Sequence, residues 1–119
     1  MGQKPVAIEE LDDSWVDYVV GSQICDRKPR IFWMAGGSGL DLKFEDRSGR
    51  KAEFYPSSRW IDGGPLLEQF KISLKYDGFT GWTASVEGGE SRSDFHALRA
   101  AMRALIASKI EGVCYIPTY

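Results

Sequence analysis

Histidine, cysteine and long apolar runs are scarce in this sequence. One histidine and two cysteines among 119 residues fit neither a metal site nor a disulfide framework. We therefore expect Cys25 and Cys114 to be reduced thiols. No apolar run is long enough to cross a membrane, and the first ten residues have no apolar core typical of a secretory signal. These absences predict a soluble cytoplasmic protein without membrane association.

A strong excess of one charge is also missing. The formal net charge is −2, which argues against binding nucleic acid through overall charge but leaves room for a local basic patch. The composition is that of a globular protein, with 43% hydrophobic and 27% charged residues, and the length fits one domain with one core. Aromatic residues make up 13% of the chain, and such residues are enriched at protein interfaces.

Sequence patterns typical of catalytic sites are missing as well. His96 is placed at the start of a predicted helix, and no spacing pairs it with a serine or cysteine nucleophile. The glycine-rich residues 36–39 lack the Gly–Lys–Ser/Thr ending of a phosphate-binding loop and precede a predicted strand instead of a helix. The sequence therefore predicts a non-enzymatic protein with no catalytic residue, no cofactor and no metal site.

Two predicted helices enclose a region of predicted strands. Leu11, Trp15 and Val19 recur at four-residue spacing and predict a helix over residues 8–20 that stops at Gly21. A second helix is predicted between a cap at Ser93 or Asp94 and Gly112. Its apolar stripe consists of Phe95, Leu98, Met102, Leu105 and Ile106.

The strands are predicted from alternating apolar and polar residues. This alternation covers residues 40–45, 70–75 and 82–86. A shorter apolar run lies at 31–34, and residues 52–54 are predicted to be the hairpin partner of residues 40–45. Residues 113–116 are predicted to add an edge strand or to pack on the core. The sequence thus predicts an α+β fold, in which one antiparallel sheet of about four to five strands is flanked by an N-terminal and a C-terminal helix.

Residues 55–68, with the sequence YPSSRWIDGGPLLE, form the most distinctive segment of the chain. Pro56 and Pro65 fix the backbone φ angle, and Gly63 and Gly64 permit left-handed conformations. We therefore predict a structured loop in place of a strand or a full helix. Loops of this kind often carry recognition surfaces.

Three residues of this segment are candidate partner contacts, namely Arg59, Trp60 and Asp62. One interpretation places all three in a groove against a partner. The interpretation that we favour for Trp60 is a core position, since large aromatic side chains are usually buried. Arg59 and Asp62 are then expected to be exposed and to be the better contact candidates.

The same segment carries a resemblance to a known family. Together with a strand containing GWTASV, the helix ALRAAMRALIASKIEG and the tail VCYIP, it resembles the phage NinX-like family. The matching positions are Pro56, Ser57, Trp60, Gly63, Gly64, Pro65, Leu66, Leu67, Glu68, Ile72, Leu74, Trp82, Ala84, Ala100, Ala101, Met102, Arg103, Ser108 and Lys109.

This resemblance implies a small accessory protein encoded by a tailed phage or prophage and made in the cytoplasm of the bacterial host. It implies no activity, cofactor or catalytic residue. Residues 24–54 depart from the family pattern, and we interpret them as an expanded strand hairpin within a single NinX-like domain over residues 1–119.

Two functions of different class are compatible with these residues. The first is contact with an unknown host or phage protein. The chain could in addition form a homodimer through a sheet edge or an exposed hairpin. The alternative is association with nucleic acid through a basic strip on the C-terminal helix and a neighbouring strand. Its candidate contacts are Lys71, Lys75, Trp82, Arg99 and Arg103. The interpretation that we favour for the arginines of that strip is a solvated helix face, because charge runs of this size are common on exposed helices.

Overall fold

The structure is a computed structural model that describes residues 2–37 and 39–119. These residues form an α+β fold, which confirms the predicted class. The helices are α1 (Asp13–Val19), α2 (Trp60–Gln69) and α3 (Ala97–Lys109). The strands are β1 (Gln3–Ala7), β2 (Pro29–Trp33), β3 (Leu40–Glu45), β4 (Lys51–Ala52), β5 (Ile72–Asp77), β6 (Gly81–Val86), β7 (Arg92–Asp94) and β8 (Val113–Pro117).

The described strands form three small antiparallel sheets, so the prediction of one sheet with four to five strands is wrong. β1 pairs with β8, β2 to β4 form a second sheet, and β5 to β7 form a third. Along the chain, α2 lies between β4, the last strand of the second sheet, and β5, the first strand of the third. The predicted C-terminal strand is confirmed as β8, and its partner is β1, which the sequence analysis did not identify.

The N-terminal helix is shorter than predicted and is followed by a wider turn. A 3₁₀ turn over Ile8–Glu10 precedes α1, whose N-cap Asp12 accepts the backbone N–H of Trp15 at 3.0 Å. Gly21 does not end the helical stretch, because a π-helical turn over Val20–Ile24 continues it. A Cβ atom at Gly21 would collide with the ring of Phe44, so glycine here permits close packing.

Residues 60–69 form α2, so the prediction of a loop is wrong for residues 60–68, while residues 55–59 lie in a turn before the helix. The buried residues of the helix are Gly63 and Leu66. A Cβ atom at Gly63 would collide with the carbonyl oxygen of Pro56 and lie 2.9 Å from Cδ2 of Leu98. Gly63 therefore allows α2 to approach its neighbours closely, and burial of Leu66 outweighs the low helix propensity of the glycines and of Pro65.

The core is built around α3. This helix packs on the β5–β7 sheet and on α1. Its fully buried residues are Ala100, Ala101, Met102, Ala104, Leu105 and Ile106. The helix begins at Ala97, later than predicted, because β7 extends to Asp94; Phe95 therefore precedes the helix and is 77% exposed. No helix in the described part of the chain is long and apolar enough to cross a membrane.

Candidate functional site

The three helices begin around one cleft of about 370 Å³, which we call the aromatic cleft. Its lining comprises Asp13, Ser57, Ser58, Trp60, Trp82, Phe95, His96, Ala97, Leu98 and Arg99. Trp60 is 59% exposed and Phe95 is 77% exposed, whereas Trp82 is half-buried on β6. Exposed aromatic side chains that line one cleft are typical of interaction sites.

Trp60 lies at the first position of α2 and lines the cleft. The interpretation of this residue as part of the core is therefore wrong. Gly63 and Leu66 are the positions that α2 buries, and Trp60 at the helix start remains accessible. Of the three candidate partner contacts, Trp60 alone is part of the aromatic cleft.

Arg59 and Asp62 are engaged within their own segment. The Asp62 carboxylate accepts the backbone N–H of Tyr55 at 2.9 Å and lies 3.5 Å from Nε of Arg59. The Arg59 guanidinium also lies 3.8 Å from Glu53. Arg59 is exposed as expected, but the Asp62 side chain is only 14% exposed, so the expectation for Asp62 is wrong. The segment uses this carboxylate to stabilise its own turn.

A buried carboxyl group holds one wall of the cleft in place. Asp17 on α1 is 3% exposed, and its Oδ1 accepts the backbone N–H of Ser57 at 2.8 Å. Burial raises the pKa of Asp17 to about 7, against the opposing effect of hydrogen bonding to Ser57. This contact joins α1 to the segment that carries Ser57, Ser58 and Trp60.

Asp94 organises the other wall. Its Oδ2 accepts hydrogen bonds from Arg99 Nε at 2.9 Å and Arg103 Nη1 at 2.7 Å, and its Oδ1 accepts the backbone N–H of His96 at 2.9 Å. Burial acts to raise the pKa of Asp94, but the bonds from Arg99 and His96 and the two guanidinium charges outweigh it and lower the pKa. Arg99 also donates to Asp13 at 3.0 Å. The arginine charges beside the cleft are therefore largely neutralised.

The residues that line the cleft lie within a match to a known protein family. A family model described as bacteriophage P22, NinX, matches residues 7–109, which include every residue that lines the aromatic cleft. The chain belongs to this family. The resemblance read from the segment around Trp60 is thereby confirmed. A comparison with curated proteins gives no match.

The NinX-family chain does not gather the candidate nucleic-acid contacts on one surface. Arg99 and Arg103 lie on α3 and are paired with carboxylates. Trp82 is directed to the same side of the sheet as Asp94, its partner across β6 and β7. Lys75 lies opposite Thr83, on the other side of the sheet, because alternate residues of a strand face opposite ways. Lys71 is exposed and precedes β5.

Several residues of the cleft were not identified from the sequence as site residues. The sequence pattern places Phe95 in the apolar stripe of the last helix and His96 in its first turn, where neither is expected to contact a partner. The Asp94 carboxylate accepts the N–H of His96, a contact equally typical of a helix cap at Asp94, so the sequence gives no signal that the helix starts only at Ala97. The burial of Asp17 has no local sequence signal, because its partner Ser57 is 40 residues away.

The described residues contain no group of three or more histidine, cysteine, aspartate or glutamate side chains that could hold a metal ion. Both cysteines are free thiols, and burial raises the pKa of each. A thiol with a raised pKa is a poorer nucleophile near neutral pH.

Proposed function

We propose that this NinX-family protein is a phage- or prophage-encoded accessory protein of the bacterial cytoplasm, which acts by non-enzymatic contact with a host or phage protein through the aromatic cleft. The observation that carries the proposal is the exposure of Trp60 and Phe95 at the rim of one cleft. Tryptophan in particular is enriched among the residues that dominate binding energy at protein interfaces.

The cleft combines these apolar groups with polar groups suited to a protein partner. The first backbone N–H groups of a helix have no intrahelical partners, and no N-cap side chain accepts from them in α3. Ala97, Leu98 and Arg99 of the first turn of α3 line the cleft. A partner can therefore bury an apolar side chain against the aromatic rings and present oxygen acceptors to the helix start.

The walls of the cleft support binding without large rearrangement. The Asp17–Ser57 hydrogen bond and the close approach at Gly63 hold the start of α2, and the Asp94 interactions hold the start of α3. A preorganised surface loses less conformational entropy on binding. The pairing of Arg99 and Arg103 with carboxylates, in contrast, weakens the case for a phosphate-binding strip.

Affinity capture from phage-infected host cells tests this proposal. We expect Trp60→Ala and Phe95→Ala to reduce recovery of a specific partner about tenfold or more, because each removes a large aromatic contact. Arg59→Ala serves as the matched control beside Trp60, since the Arg59 guanidinium lies beside Glu53 and Asp62 and Arg59 is not part of the cleft lining.

A second control is Tyr115→Ala, which removes a 52% exposed aromatic side chain from β8. Circular dichroism confirms that each variant is folded before capture. Undiminished recovery of every specific partner with both cleft variants would show that the contact surface lies elsewhere.

A further inference from the structure

The described strands differ in how they protect their free edges. β1, β2, β4, β5, β7 and β8 each have one edge without a ladder partner. β4 and β7 contain only two and three residues. β1, β2 and β8 each contain a proline, which removes a backbone N–H donor. β5 has six residues and no proline, so it has the one long, proline-free edge among these strands.

The side chains along this edge leave apolar surface accessible. Ile72, Leu74 and Tyr76 point to the side of the sheet on which α3 packs, as Ala84 opposite Leu74 is fully buried there. Leu74 is half-buried and Tyr76 is 62% exposed, although its ring lies 5.3 Å from that of Trp82. Natural proteins usually shorten, twist or charge an edge of this kind. On β5 the charged residues Lys75 and Asp77 lie on the face opposite α3, so they leave the apolar side uncovered.

We propose that β5 pairs antiparallel with β5 of a second copy of this chain, with Leu74 opposite Leu74 of the partner subunit. The pairing joins two three-stranded sheets into one continuous six-stranded sheet with α3 of both copies on the same side. The proposal is independent of the aromatic cleft and its partner.

The register follows from the length and the charges of β5. With Leu74 on the two-fold axis, five residues of each strand pair, and Ser73 lies opposite Lys75 of the partner. A shift that places Lys75 on the axis also pairs five residues, but it opposes two lysines. A shift that places Ser73 or Tyr76 on the axis pairs only three residues of each strand. Since like charges directly opposite one another destabilise a strand pair, length and charge together favour the Leu74 register.

The same register matches the apolar side chains. Ile72 faces Tyr76 of the partner, and the two Leu74 side chains meet on the side of the sheet covered by α3. Aromatic and branched side chains form favourable cross-strand pairs. The exposed Tyr76 ring thus acquires an apolar neighbour.

Sedimentation analysis of the full chain, from low to high micromolar concentration, tests the proposal. We expect a reversible monomer–dimer equilibrium. Ser73→Lys places a lysine opposite Lys75 at both symmetry-related positions and is expected to weaken dimerisation about tenfold or more. Ser85→Lys is the matched control, because Ser85 lies opposite Ser73 on the central strand β6 and away from the edge.

A charge exchange tests the register itself. Adding Lys75→Glu to Ser73→Lys creates two opposite-charge pairs and is expected to restore dimerisation. A wild-type chain that is monomeric at every concentration would overturn the proposal. A dimer weakened equally by Ser73→Lys and Ser85→Lys, or one not restored by the double substitution, would also overturn it.

Discussion

The Asp17 carboxyl group shows how a single residue links the core to the cleft. It is buried on α1, yet it accepts a hydrogen bond from the segment that carries Trp60. Its pKa of about 7 in the folded chain lies above the ordinary value of 3.8. The stability associated with the neutral carboxyl group is therefore fully present below pH 3.8 and is lost as the pH rises through 7.

Replacing this group with a neutral amide isolates its effect. At each pH, the quantity of interest is the free energy of unfolding of Asp17→Asn minus that of wild type. We expect this difference to be roughly 2–3 kcal/mol larger at pH 8 than at pH 5, because at pH 8 the wild-type carboxylate is ionised in the buried site. Urea denaturation of both chains at the two pH values measures the difference. A variant that is destabilised more at pH 8 than at pH 5 would show that the ionised carboxylate stabilises the fold.

At the residue scale, the sequence predicted part of the cleft. Trp60 and Trp82 were identified as candidate contacts, though in different hypotheses and with Trp60 favoured as a core residue. Exposure of a tryptophan depends on which residues its helix buries, and the local pattern around Trp60 does not determine this. Asp62 was misjudged because its partner is a backbone N–H of Tyr55, which no side-chain pattern reveals.

α2 is the element that shapes the distinctive segment. Its two adjacent glycines have different surroundings, although both weaken a helix in isolation. A Cβ atom at Gly63 would collide with Pro56, whereas one at Gly64 would lie 3.9 Å from the Trp60 ring, an ordinary contact distance. The packing of the helix therefore depends on one glycine and not on its neighbour.

The two glycine-to-alanine substitutions should act in opposite directions. We expect Gly63→Ala to lower the free energy of unfolding by about 2 kcal/mol or more, because the backbone of the Pro56 segment must move. Gly64→Ala should raise it by about 0.5–1 kcal/mol through lower unfolded-state entropy. Urea denaturation measures both changes. Equal effects of the two substitutions would contradict the close packing of α2 at Gly63.

At the element scale, alternating patterns were reliable and irregular segments were not. β3, β5 and β6 lie where the alternation predicts strands, and the C-terminal helix was found with an error in its start. α2 was missed because Gly63, Gly64 and Pro65 give a low local helix propensity, while burial of Leu66 decides the outcome. β1 was missed because its partner β8 is at the other end of the chain.

The arrangement of the whole molecule was the least predictable level. Strand periodicity indicates which face of a strand is buried but does not specify its neighbours, and eight strands can pair in many ways. The structure divides them into three sheets. The departure of residues 24–54 from the family pattern and their interpretation as an expanded hairpin both stay predictions, although β2 and β3 in this region pair antiparallel.

The β5–β7 sheet contributes to both proposed surfaces. Its edge strand β5 is available to a second copy, and Trp82 on its central strand lines the aromatic cleft. The rings of Tyr76 on β5 and Trp82 in the cleft have their centroids 5.3 Å apart, so this contact connects the two surfaces. The two proposed surfaces therefore share one sheet.

Site-specific photo-crosslinking in infected cells tests the aromatic cleft most directly. A photoreactive phenylalanine derivative replaces Phe95 in one protein and Tyr115 in another, which keeps an aromatic ring at each exposed position. We expect a discrete adduct with a host or phage protein from position 95 and none from position 115. An adduct from position 115 with none from position 95 would contradict the assignment of the cleft as the contact surface.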